Sequence, residues 1–433
     1  MAHDTSEVVV VGAGLAGLTA AVTAARAGAH VTVLEAREHE GGRARTAAVD
    51  GFLLNQGAHA LYRGGPAWEV LRELGIEPRG HSPAQSGAWG LRADGRFGPM
   101  PASPPTLIRS PLVGSGAKLE LARLFARPKR TLRAPEPGAS MQSMQEWIDG
   151  RVRTADARAF LATASRVATY CADLDGLDAC AGVQQLGRAL TSGVVYLDGG
   201  WQQLVDALRA VAERAGVAVH TRSKVQTVEV HDGGATVRTS RGDVIASTVV
   251  VATGGPAEAD ALLRGASAAV TRWAREARPV VASTLDIALD ALPVPDRRIV
   301  LGLDEPTYLS VHTPFADLAP HGGEVVHLLW YGDATSDPRA ALEAVLDRAQ
   351  PGWREHVRVE RYARRLVVAH GRPEPRISRT AGSPPVEVPD LPCVLVAGDW
   401  VGADGLLADA SFASGRAAGR LAAPAAARPV MVP

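Results

Sequence analysis

The chain has 433 residues, 46% hydrophobic and 21% charged, which suits a folded protein larger than the roughly 250–300 residues one core usually serves. Lysines and arginines number 46, as do aspartates and glutamates, so no global field selects nucleic acid as a partner. Cys171, Cys180 and Cys393 show neither CxxC nor His-paired spacing, which excludes a disulfide framework and a metal site and fits a reducing compartment.

The N-terminal stretch has no basic region leading into a long apolar core, and no apolar run approaches the roughly 18 residues of a membrane span. A cytoplasmic protein is expected. Residues 7–12 (EVVVVG) read as a buried strand, 15–27 as an alanine-rich helix stopped by Gly28, and 30–35 (HVTVLE) as a second strand. Together they form one βαβ unit. Gly12, Gly14 and Gly17 lie between strand and helix, where a tight turn, a close backbone approach and helix packing each need a missing side chain. Leu15 and Ala16 then offer helix N-terminal amides to a phosphate. Glu35 closes the second strand, with Ala36 after it, where a carboxylate accepts ribose hydroxyls. A dinucleotide site follows.

Gly41, Gly42 and Arg43 come next. Either they form a surface loop, or they let backbone pass a crowded ligand that a Cβ would strike. Helical periodicity returns at 66–74. Residues 101–138 are rich in Pro and Arg, with seven basic residues against Glu120 and Glu136. A short amphipathic helix at 117–127 puts Ala117, Leu121, Leu124 and Phe125 on one face. Residues 141–182 read as mostly helical, and Gly199-Gly200 opens a helix running to 216. Strands are expected at 217–220, 225–230, 235–239 and 247–255. Alternating segments at 283–289, 307–313 and 324–331 read as a mostly antiparallel sheet. A helix near 338–349, strands at 357–364 and 392–400, and a helix at 410–421 complete the chain.

The Gly12-x-Gly14-x-x-Gly17 turn, Glu35 and Gly41-Gly42-Arg43 with Thr46 resemble the extended fingerprint of flavin-containing amine oxidases, protoporphyrinogen oxidases and phytoene desaturases. "FLLNQGAHAL" (52–61) resembles that superfamily's segment near the flavin ring, with Gly57, Ala58 and His59. "YLDGGWQQLVDAL" is similar to its return toward the FAD domain, and "TRSKVQTVEV" places Val225 where the family packs backbone against adenine. "VLVAGDWVGADGLLADASFASGRAAG" resembles its closing strand, loop and helix. There Gly398 and Asp399 would meet the ribityl chain, and Leu407 and Ala410 would start a helix facing the flavin.

The fold this resemblance implies is α/β, with a discontinuous Rossmann-type FAD-binding domain (1–80, 190–275 and 390–433). An α+β substrate domain (81–189 and 276–389) would carry a mixed, mostly antiparallel sheet. FAD is expected to be non-covalent, since Cys393 precedes the final strand and the loop after Asp399 holds no cysteine. The implied reaction moves a hydride from a substrate carbon to flavin N5 and passes electrons to oxygen, a quinone or another acceptor. The nearest subgroup is taken as phytoene dehydrogenase-like, acting on an apolar small molecule.

Amine oxidation is the alternative. Amine oxidases of the family usually carry a lysine beside flavin N5, yet this chain has none beyond Lys224, and Trp330 and Tyr331 point to opposite sheet faces. A non-catalytic binding protein of the GDP-dissociation-inhibitor type is a third reading. Candidates for a catalytic role are His59, Tyr308, His312 and Tyr331; Tyr308, Ser310 and His312 share one strand face, as do His327 and Tyr331. Segment 101–138 is open to two readings, a solvated helix packed on the substrate domain or a peripheral membrane contact.

Overall fold

The computed structural model describes residues 4–83, 87–126, 132–136, 141–375 and 383–423. The run of valines in Asp4–Val11 is buried on both faces because it lies inside a parallel sheet, between Val31–Leu34 and Gly242–Val251. Ala218–His220 extends that sheet beyond Val31–Leu34, and Val394–Val396 pairs parallel with Val249–Val251. Val225–His231 and Gly234–Thr239 join as antiparallel strands, giving seven in all. Five parallel strands therefore end at one edge, the place where doubly wound sheets bind ligands.

Helix Leu15–Arg26 covers one face and lies tightly against helix Ala408–Ala422. A Cβ on Gly415 would meet the Ala16 carbonyl at 2.4 Å, and one on Gly419 the Ala20 carbonyl at 2.5 Å. The small residues of the last helix are thus a packing requirement.

A second seven-stranded sheet runs in the order Val357–Ala369, Val280–Leu289, Glu324–Tyr331, Thr307–Val311, Ile299–Gly302, Ala88–Leu91, Phe97–Pro99. All its pairs are antiparallel except Ile299–Gly302 with Ala88–Leu91, which agrees with the expected mixed sheet and α/β class. Alternation separates its two faces. Leu285, Ile287, Leu289, Leu309, Val326 and Leu328 share a core with Leu342 and Leu346 of helix Arg339–Ala349, each burial contributing about 1.5–3 kcal/mol. Thr284, Asp286, Tyr308, Ser310, His327 and Tyr331 alternate with them and face the other way, toward the loop at Gly57.

Helices Pro104–Arg109, Ser115–Ala126, Met144–Asp149, Ala155–Thr169 and Ala179–Thr191 form a third layer around Trp147, Leu121, Leu124 and Leu161. The expected amphipathic helix is present as Ser115–Ala126, and its Ala117, Leu121 and Leu124 are spent on this core. Packing against the neighbouring helices accounts for that face. Part of the basic stretch 101–138 (127–131 and 137–138) lies outside the described residues. Among the described residues, no helix is long and apolar enough to cross a membrane.

Two boundaries also differ. The expected strand 392–400 pairs only over Val394–Val396, because the chain turns at Gly398 to aim Asp399 into the crevice. The last helix starts at Ala408 rather than 410, behind Leu407 in the left-handed region at φ +59°.

Candidate active site

Gly12 (φ +104°) makes the turn out of the first strand, and a Cβ there would lie 2.4 Å from the Ala252 carbonyl. Gly17 is equally forced, since its Cβ would lie 1.9 Å from the Gly12 carbonyl. Gly14 is different: a Cβ there meets nothing within 4 Å. It caps helix Leu15–Arg26 with no side-chain bond to the helix amides, so Leu15, Ala16 and Gly17 present N–H groups that no carbonyl of the helix can reach. Gly41, left-handed at φ +105°, bonds back to the Ala13 carbonyl at 2.8 Å and forms a bridge with Gly14. The two glycine turns therefore wall one opening.

Glu35 is buried at the adjoining strand end. Its Oε2 accepts from the Ala13 amide and its Oε1 from the Arg37 amide, both at 2.8 Å. Each oxygen keeps a second lone pair for a ribose hydroxyl. Ala36 is exposed beside it. The Ser223 amide donates to the Glu35 carbonyl at 2.7 Å, which brings buried Val225 to the same corner.

Arg43 crosses to the far strand end. Its Nη1 meets Asp399 Oδ2 at 2.7 Å and donates to the Val368 carbonyl. His370 adds a backbone N–H to Asp399 Oδ2 at 3.1 Å and a ring contact of 3.2 Å to Oδ1. Burial alone would raise the Asp399 carboxyl, but Arg43 and His370 outweigh it and hold the group well below the usual range. Ala410 is buried near the start of the last helix, where the Ser414 hydroxyl returns to its carbonyl.

The loop through Gly57, Ala58 and His59 runs beneath the second sheet. A Cβ on Gly57 would sit 3.1 Å from Thr284 Cγ2. The His59 Nδ1 lies 3.0 Å from the Gly57 carbonyl, and its ring stands edge-on to Trp201 at 5.1 Å. Burial lowers this imidazole to about 4. The Gly200 turn beside Trp201 packs on Thr46 and Asn55, whose side chains bond each other at 2.7 Å.

Above the loop, the sheet brings the sequence-predicted Tyr308, His312 and Tyr331 together. His312 stacks on Tyr196 at 3.8 Å and meets His327 edge-on at 4.6 Å, while burial holds it well below the usual imidazole value. Tyr196 and Tyr308 share a hydroxyl contact of 3.3 Å. Three residues had not been singled out. Tyr170 donates its hydroxyl to the Ala58 carbonyl at 3.0 Å and stands edge-on to Tyr331 at 5.9 Å. Asp286 accepts from His327 Nδ1 at 2.7 Å and from Arg361 at 2.6 Å. Burial raises that carboxyl, but these partners overcome the effect and lower it. An aspartate between Leu285 and Ile287 was a readable signal; Tyr170 and Arg361 carried none.

A glycine-walled opening beside a ribose-type acid, roofed by a second sheet, defines the class: an oxidoreductase fold that holds a dinucleotide against a pocket. The family described as flavin containing amine oxidoreductase matches residues 15–422, and the chain belongs to it. That membership places it among FAD-dependent oxidoreductases, and the residues present fit FAD: Gly14 leaves space for a pyrophosphate, and both Glu35 oxygens can still accept.

A coproporphyrinogen III oxidase of Propionibacterium freudenreichii subsp. freudenreichii is 38% identical over 95 residues, 22% of this chain and 18% of that protein. The chain spans less than two thirds of the length of the curated relatives it matches. An oxidoreductase from Methanosarcina mazei superposes with a TM-score of 0.73 at 21% identity, covering 95% of this chain and 99% of the other. Putrescine oxidase with putrescine bound gives 0.72 at 18%, covering 96% and 99%. Identities this low speak for the fold alone.

Proposed function

We propose that the chain carries out the two-electron oxidation of a small molecule with a largely apolar body, in the manner of phytoene dehydrogenase-like flavoproteins. The substrate would lie between the Gly57–His59 loop and the tyrosine face of the second sheet. In this reading residues 1–80, 190–275 and 390–433 hold FAD without a covalent bond, and 81–189 and 276–389 form the substrate side. The glycines at 12, 14, 17, 41 and 42, with Glu35, Arg43, Val225 and Asp399, would bind the cofactor. FAD, when bound, supplies the two-electron acceptor, which oxygen, a quinone or another acceptor reoxidises.

One observation carries the reading. Ala58, Ala282, Tyr308, Leu329 and Tyr331 form a buried cluster, with Val167, Tyr170 and Val368 partly open beside it. The ionisable groups beside the loop are neutral or paired at its roof: burial keeps His59 and His312 uncharged at neutral pH, and Asp286 is held by Arg361 and His327, leaving the Arg166 cation at the far end of the tyrosine face. Such a surface favours apolar contact and excludes water from the reacting carbon. Tyr170 positions the loop through its bond to Ala58.

Amine oxidation is the second reading. The rings of Tyr170, Tyr308 and Tyr331 lie within 6.2 Å of one another in sequence of contact, and electron-rich faces attract an ammonium group. Anaerobic bleaching of the holoprotein separates the two. Isoprenoid or tetrapyrrole substrates should reduce the flavin while amines do not; rapid reduction by amines alone would reverse the ranking.

A further inference from the structure

Helix Ala155–Thr169 packs Val167 and, at its C-terminal end, Tyr170 against the same cluster, with Thr163 and Arg166 continuing that stripe along the helix. Arg166 is part-buried, and no carboxylate lies within salt-bridge distance of it among the described residues. Asp304, whose charge reaches it, is engaged by Arg92 at 3.2 Å and by the Ala93 amide at 2.8 Å. The bonds Arg166 makes to the protein all leave from Nη2: to Thr163 Oγ1 at 2.9 Å and to the Gly302 and Leu303 carbonyls at 3.3 and 3.5 Å. Nη1 and Nε make none among the described residues, and neither is sealed in the interior.

A guanidinium in this position has lost part of its hydration without gaining a carboxylate in contact. Pinning the helix to the strand end at Gly302 needs only Nη2. The remaining donors point to a ligand that brings the missing negative charge. Arg166 sits one helical turn, roughly 5–6 Å, from Tyr170, whose ring stands edge-on to Tyr331 at 5.9 Å. An apolar body lying on Tyr170 and Tyr331 with its reacting carbon near Ala58 would extend its far end toward Arg166.

We infer that Arg166 is the anion-recognition residue of this pocket and that the substrate is an apolar carboxylic acid, its carboxylate accepting from Nη1 or Nε. The inference rests on the pocket proposed above and adds the chemical class of what enters it.

The test uses the FAD-loaded protein with 4-phenylbutanoate and its uncharged amide, 4-phenylbutanamide, neither chosen for turnover. Binding is read from perturbation of the flavin absorbance and from the melting temperature. The acid should bind about tenfold or more tightly than the amide, as expected for a charge-assisted bond. Arg166→Gln should erase that preference while leaving the amide's affinity unchanged, and Arg166→Lys should keep part of it. Equal binding of acid and amide to the unmodified protein overturns the inference, and that comparison needs no variant to fold. A preference that survives in Arg166→Gln also overturns it. Failure of both probes to bind overturns the pocket itself. Acid preference through Arg166 with no bleaching by any apolar substrate would instead retain the inference and sink only the reaction proposed above.

Discussion

Arg43 and Asp399 are separated by 356 positions in the chain and by 2.7 Å in space. The pair joins the second glycine turn to the end of the last strand, with His370 closing the third side. Because the folded carboxyl is depressed by Arg43 and His370 against burial, its contribution is fully present above the unfolded value near pH 4. It is lost as pH falls below that. Asp399→Asn should therefore lower the melting temperature of the apoprotein at pH 7 by about 2 °C or more. The gap to the unmodified protein should narrow below about pH 4. Melting curves from pH 3 to 8 that stay parallel would show that the ion pair contributes nothing to the fold.

Glu35 has two duties that a substitution can separate. Its carboxylate satisfies the amide of Ala13, which is fully buried, and in the proposed reading it also receives the ribose. Glu35→Ala leaves that amide without a partner, so the apoprotein should lose about 1–3 kcal/mol in urea denaturation. FAD retention, followed by flavin fluorescence on titration, should weaken as well. Glu35→Gln keeps one acceptor and should lose less of both. Lowered apoprotein stability with unchanged FAD affinity would reduce this acid to a structural role.

Asp286 and His327 are both fully enclosed. Asp286→Ala strands the His327 Nδ1 and removes the counter-charge of Arg361, and should cost about 3–5 kcal/mol in a denaturant midpoint. Replacing both Asp286 and His327 by leucine should cost less than the sum of the single changes, because the His327 ring is then no longer stranded and only Arg361 loses its partner. Additive losses would mean that the two side chains do not act as a pair. His59→Ala, by contrast, removes a neutral ring packed on Trp201 and should leave FAD bound, as the flavin absorbance of the purified variant would show.

The parts of this architecture that were legible are those governed by local periodicity. Valine runs and the spacing of Gly12, Gly14 and Gly17 describe a parallel unit by themselves, and alternation in 283–289 and 324–331 gave the faces of the second sheet. Ala88–Leu91 and Phe97–Pro99 escaped notice because they are short and glycine-bearing; Gly90 is there since a Cβ would strike Leu112 at 2.4 Å. His370, Tyr170 and Arg166 reach the site only through the pairing of distant strands and helices. No spacing along the chain could announce them. The amphipathic pattern at 117–127 left two readings of 101–138 open for a related reason: it says that one face is buried, and not what covers it.

Asp409 offers the sharpest pH experiment. Its side chain is 2% exposed, its Oδ1 accepts from the Ala67 amide at 3.0 Å, and Arg188 stands off at 3.8 Å. Oδ2 has no hydrogen-bond partner among the described residues. Burial, with Asp404 and Glu69 adding repulsion, raises this carboxyl to about 6 against the opposing effects of Ala67 and Arg188. A raised acid means that the folded state holds its proton more tightly than the unfolded chain does. Stability from this group is therefore greatest below about pH 4, falls as pH rises to about 6, and is level above. The loss across that window is on the order of 2–3 kcal/mol. Asp409→Asn should remove the slope and be at least as stable as the unmodified protein at pH 7, whereas Gly65→Ala, whose new Cβ would lie 2.4 Å from the Asp409 carboxylate, should destabilise. The deciding quantity is the difference between unmodified and Asp409→Asn unfolding free energies at pH 4 and pH 7. If it does not change between those values, Asp409 titrates as an ordinary surface carboxylate and its enclosure against Ala67 is not maintained in solution.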